Sequence, residues 1–130
     1  MSLVGKYISA NKDDEVLGPM VAKLSEALSD LQGATTWLMT NAMAKPDNAG
    51  AGSVPYLHVM GLVMFGHMWA QLAQAAQAGL ARGDGDAQFY ENKLATARYF
   101  FSHLLPETKV HRARVEAGAE NVMALAAEAF

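Results

Sequence analysis

Val54-Pro55-Tyr56-Leu57-His58-Val59-Met60-Gly61-Leu62-Val63-Met64-Phe65-Gly66-His67-Met68-Trp69-Ala70-Gln71-Leu72-Ala73 is the stretch whose reading decides the fold of this 130-residue chain. No Asp, Glu, Lys or Arg occurs between Asp47 and Arg82. A helix that is apolar on all sides is either the core of a soluble domain or a membrane span. The stretch is long enough to cross a bilayer. However, His58, His67, Gln71, Gln74 and Gln77 punctuate it, and the segments on either side read as amphipathic helices that can cover it. The expectation is therefore a soluble core helix over residues 54–81, buried on most of its circumference, with no membrane span. Gly66, Ala70, Ala73 and Gln77 share one face and leave room for a neighbouring helix. Met60, Met64, Met68 and Leu72 recur every fourth residue, as flexible side chains that fill a core or line a greasy contact with another domain.

Upstream, Leu17, Val21, Leu24, Leu28, Leu31, Thr35, Leu38 and Ala42 alternate steps of four and three, the seam of a helical bundle. They predict a helix over 19–44, with Lys23, Glu26, Ser29, Asp30 and Gln32 in water and Trp37 packed at a helix contact. Residues 45–53 read as a loop, with Ser53 capping the central helix and Pro55 in its first turn. Gly50-Ala51-Gly52 lacks a preceding strand and the glycine spacing of a dinucleotide site. Residues 1–18 read as a lead-in that is polar at Asn11-Lys12-Asp13-Asp14-Glu15. Met1-Ser2-Leu3 is compatible with a cloning scar, and the expectation is a fragment cut from something longer.

Downstream, Arg82-Gly83-Asp84-Gly85 is a turn, and Asp84 or Asp86 caps the next helix. That helix covers 87–105, with a second seam of Tyr90, Leu94, Ala97, Phe101 and Leu104, until Pro106 forces a break. A shorter fourth helix, 106–117, presents Val110, Ala113 and Ala117 as its apolar side. Gly118 is its left-handed stop, and residues 121–127 form a last short helix. The fold class is all-α: an antiparallel up-down bundle of three long helices, a shorter fourth and a short terminal one, with the domain proper at 19–130.

The charge of −3 is too near neutral for a nucleic-acid binder, and the absence of cysteine removes disulfides, thiol nucleophiles and cysteine-held metal. No Glu-x-x-His pair occurs, and His58 and His67, nine residues apart, fall on opposite faces of a helix. No acid lies in the apolar stretch, where desolvation would tune a base. No catalytic, cofactor-binding or metal-ligating residue is assigned. One contact surface is: the basic group Lys109, His111, Arg112 and Arg114, suited to an anion or a partner domain.

Four motifs, in order, resemble a known family. Val54-Pro55-Tyr56-Leu57 is similar to its "TPYL" helix start. Residues 87–100 resemble its "F…K…TARFY" helix, His103-Leu104-Leu105-Pro106 matches its "HLLP" break, and residues 118–125 resemble its terminal "GADSVMAL". Together, over residues 19–130, the chain resembles the appended C-terminal domain of bacterial acyl-CoA dehydrogenases of the methylmercaptopropionyl-CoA dehydrogenase-like type. The resemblance implies a cytoplasmic parent that uses FAD to form an α,β-double bond in an acyl-CoA. It places the base and the flavin site in domains outside this chain. It implies a module that packs on the catalytic domains of its own parent, shapes the acyl-CoA entrance or joins a homodimer interface. The alternatives are a free-standing helical scaffold and a small-molecule binder with a methionine-lined pocket.

Overall fold

The computed structural model describes residues 2–130; Met1 lies outside them. Five α-helices follow in order: α1 Leu3–Asn11, α2 Leu17–Asn41, α3 Pro46–Arg82, α4 Ala87–Tyr99 and α5 Thr108–Glu116. No strand occurs among the described residues, so the all-α reading holds. α3 is the spine. α2, α4 and α5 pack along it, and α5 also lies against α2. The core is Leu17, Met20 and Leu24 of α2, Val63, Ala70 and Ala73 of α3, Leu94, Ala97, Phe100 and Phe101 of the third long segment, and Leu105. Small residues on α3 bring the neighbours close, as their spacing predicts: a Cβ at Gly66 would stand 2.9 Å from Leu24 Cδ1.

The lead-in is structured. Ser2 Oγ accepts from the Gly5 amide and starts α1. Val4 is buried, and Tyr7 meets the ring of His67 edge-on at 5.0 Å while its hydroxyl donates to Gln74 Oε1 at 3.0 Å. Asp14 Oδ1 then accepts from the amides of Val16 and Leu17 and opens α2. Those bonds, above all the one from Leu17, hold the Asp14 carboxyl below its ordinary range.

Residues 45–53 are not a loop. α3 begins at Pro46, whose missing amide is harmless at the first helical position, and Asp47 sits in the first turn, where the dipole favours it. Ser53 caps nothing; its hydroxyl donates to the Gly50 carbonyl within the helix, and Pro55 lies in the interior. Local propensity opposes this, since each mid-helix glycine costs about 1 kcal/mol against alanine. Packing offsets it: Gly52 is buried, with Leu38 and Val115 against it.

The third long segment departs from its expected register. α4 is capped by Asp86, whose Oδ1 accepts from the Gln88 amide, whereas Asp84 pairs with Arg82. At Phe100–Leu104 the helix widens to a π-turn, in which the Leu105 amide donates to the Phe100 carbonyl. Pro106 cannot donate and cannot continue a regular helix, and the wider turn absorbs the conflict. The extra residue moves Leu104 outward, to 38% exposure, and puts Leu105 in its place at 1%. α5 is also rotated from its expected face. Val110, Ala113 and Ala117 are exposed, and Thr108 and Val115 are buried, followed by Ala119 beyond its end. The expected helix at 121–127 is absent: residues 118–126 run in turns and bends, followed by a single 3₁₀ turn, Ala127–Ala129, because its alanines find no surface to cover.

Candidate interaction surface

α5 carries the basic group, and the structure divides it. Lys109 Nζ pairs with Glu26 Oε2 at 3.1 Å, and Arg112 Nε with Glu116 Oε1 at 2.9 Å. The Lys109 ammonium and its bond hold Glu26 below the usual carboxylate range. Arg112 also reaches Asp30 Oδ1 at 3.5 Å, filling the space that Gly33 leaves on α2. Arg114 is exposed, and no ion pair to it occurs among the described residues. Asp30, read from the sequence as wet, is instead 8% exposed. Its Oδ2 accepts from the buried Thr108 hydroxyl at 2.8 Å. Seam counting scores only apolar positions and so missed an acid that α5 covers.

His111 lies inside the contact between α5 and α3. Its ring stacks on His58 at 4.8 Å and 10°, its side chain is 12% exposed, and its Nδ1 is buried without a partner. Burial pushes its pKa down, helped by His58 and Arg114 and opposed by Glu107, whose carboxylate lies 3.9 Å from Nε2. The folded state therefore holds His111 neutral more firmly than the unfolded chain does. The stability this confers is complete above the unfolded value of about 6.5 and is lost as pH falls through the depressed folded value. We expect the melting temperature to start falling below pH ~6.5, before the carboxylates Asp14 and Glu26 protonate. His111→Phe keeps the stack and removes the proton site, so it should flatten only that first part of the profile. Superimposable melting-versus-pH curves for the two proteins would sink this account.

At the end of the bundle lies an open cleft of about 660 Å³, lined by Trp37, Lys45, Asp47, Asn48, Glu120 and Met123 among others. Asn48 organises it: Nδ2 donates to the Asn41 carbonyl, and Oδ1 accepts from the Ala119 amide at 2.9 Å, tying the chain beyond α5 to the start of α3. Gly118 turns there at φ 69, the left-handed stop its position predicts, and a Cβ at that point would crowd Asn48 and Trp37. Trp37 is half-buried, with one edge against Gly118 and another on the cleft.

The central helix is not buried on most of its circumference. Val59, Val63, Gly66, Ala70 and Ala73 face the bundle, whereas Leu57, Met60, Met64, Phe65, Met68 and Leu72 are 39–67% exposed. The methionines fill neither a core nor a pocket between helices; they form an outer apolar face. By length and composition α3 could cross a membrane, with 22% of its most apolar window buried in the bundle. His67 is buried and His58 exposed, on opposite faces as the spacing demands. No group of three His, Asp or Glu poised for a metal occurs among the described residues.

The family described as "Acetyl-CoA dehydrogenase C-terminal like" matches residues 1–126. The chain belongs to that family. The match includes α1 as well as the motifs around Pro55, Thr96 and Pro106, so it extends beyond the segment that carried the resemblance. A relative, the 3-methylmercaptopropionyl-CoA dehydrogenase of Ruegeria pomeroyi, is 37% identical over 93 residues. Those residues are 72% of this chain and 16% of the relative. This member of the C-terminal-like family therefore spans a small part of that dehydrogenase.

Proposed function

We propose that the chain is a non-catalytic C-terminal module of an FAD-dependent acyl-CoA dehydrogenase, whose full-length parent oxidises a fatty acyl-CoA to the 2-enoyl-CoA. The carrying observation is the family match over residues 1–126. Supporting it, paired polar groups have structural tasks: the buried Asp30 and Thr108 join α2 to α5, Tyr7 and Gln74 join α1 to α3, and Asn48 ties down the chain after α5. The module in this reading includes α1, since Val4 and Tyr7 belong to the packing. Its work is to pack on the catalytic domains of its parent, to shape the acyl-CoA entrance or to contribute to a homodimer interface, in a cytoplasmic enzyme.

The residues present do not fit FAD. The cleft at the end of the bundle is open and sets Asp47 and Glu120 against the single cation Lys45, a balance that repels a pyrophosphate, and the shallower groove of about 530 Å³ beside α2 offers only Arg112, already paired with Glu116. We therefore place the flavin in the parent's other domains and route no step through it here. The purified chain is expected to be colourless and to stay so after incubation with FAD and desalting. Stoichiometric visible flavin absorbance on the chain would overturn the assignment.

A further inference from the structure

We propose that the exposed apolar stripe of α3 (Leu57, Met60, Met64, Phe65, Met68 and Leu72) is the face by which this domain docks onto the catalytic body of an acyl-CoA dehydrogenase. The proposal rests on the reading of the chain as an appended module. At 100° per residue, the six side chains fall within an arc of about 140°. The opposite arc, Val59, Val63, Gly66, Ala70 and Ala73, is already committed to the bundle. The stripe cannot turn inward without exposing the core. It is contiguous and rich in methionine, the composition of adaptable binding surfaces.

The partner follows from charge and length. A helix that lies on lipid carries Lys and Arg along its polar face, but none occurs between Asp47 and Arg82. That same absence suits an uncharged protein surface and excludes an acidic one. In the relative, the region similar to this chain occupies 16% of the length, and the rest of that dehydrogenase is available to cover the face.

The test grafts this chain in place of the matched segment of the full-length Ruegeria pomeroyi enzyme, with a protease site at the junction. Peroxide oxidation of each methionine is followed by mass spectrometry in the free chain and in the graft. Met39 and Met43, also exposed, serve as internal controls. In the free chain Met60, Met64 and Met68 should oxidise within about threefold of the more exposed controls. In the graft they should slow about tenfold while the controls do not change, because oxidation follows access.

After the junction is cut, the chain should stay with the yellow body. The double variant Met64→Glu, Met68→Glu should release it with helicity unchanged by circular dichroism, since both sites are exposed in the free domain. If the cut wild-type chain leaves the body, the module reading fails and this proposal with it. If the chain stays but Met60, Met64 and Met68 oxidise at the free rate, or the double variant also stays, only the assignment of the face is overturned. Protection in the free chain that rises with its own concentration, or with anionic vesicles, would assign the face to a second copy or to lipid and overturn the proposal.

Discussion

Asp30→Ala is expected to destabilise the domain by about 3 kcal/mol, lowering the melting temperature by roughly 10 °C. The carboxylate holds α5 to α2 through the Thr108 hydroxyl at 2.8 Å and the Arg112 guanidinium at 3.5 Å, with Lys109 at 4.0 Å. Removing it strands two groups of different kinds. Thr108 is 1% exposed, so its hydroxyl loses its partner with no water to replace it, a loss of about 1–3 kcal/mol. Arg112 is a third exposed and can turn to solvent, so its share falls well short of that of a fully buried pair. Asp30→Asn keeps an acceptor for Thr108 and loses only the charge, so it should cost about half as much. Asp30→Ala combined with Thr108→Val should recover part of the loss, because the stranded donor is gone as well. Chemical denaturation of the four proteins reads all of this. If Asp30→Ala falls within about 0.5 kcal/mol of wild type, the range of ordinary surface substitutions, Asp30 does not clamp α5.

Asp30 also marks the limit of what periodicity can disclose. The seam of α2 and the small face of α3 were legible because apolar side chains at steps of three and four report a packed stripe. Gly118 and Asp86 were legible because each meets a local backbone need. A polar group buried by a partner 78 residues away leaves no such mark. The His58 and His111 stack is similar: the one lay in the apolar stretch and the other in the basic group of the fourth helix, and only the crossing of α3 and α5 brings them together. The helix through residues 46–53 was hidden for the opposite reason. Pro46, Asn48, Gly50 and Gly52 all carry loop propensity, and packing against Leu38 and Val115 overrides it. The π-turn before Pro106 shows how one extra residue exchanges Leu104 for Leu105, a shift that a fixed helical period cannot anticipate.

The expectation that failed on α3 was burial on most of its circumference, not the apolar character of its outer face. Apolar periodicity shows that a face wants to leave water; it does not say whether the same chain supplies the cover. With only one polypeptide in view, a charge-free helix reads as a core. In the relative, the segment similar to this chain is 16% of the length, and the face that α3 leaves bare is the one proposed above to be covered by such a remainder. Of the motifs that carried the resemblance, only the one around Pro106 sits at a helix break; those around Pro55 and Thr96 lie inside α3 and α4.

Gly66 and Leu24 supply the second large effect, and one that distinguishes close packing from mere proximity. Leu24 is 0% exposed, and its Cδ1 lies 2.9 Å from where a Gly66 Cβ would be, with Leu105 Cδ1 at 3.3 Å. Gly66→Leu therefore forces a side chain into occupied space between α3 and α2. The overpacking should cost about 3 kcal/mol even after the gain of about 1 kcal/mol from removing a mid-helix glycine. Leu24→Ala opens a cavity at the same point and should also cost about 3 kcal/mol. The two changes are opposite in volume and adjacent in space. Their combination should be less damaging than their sum by at least about 1.5 kcal/mol, because the new leucine on α3 can enter the space vacated on α2. Strict additivity in a double-mutant cycle would mean that α2 and α3 do not share this volume. It would remove the reason for a glycine at the centre of the helix on which the whole domain is built.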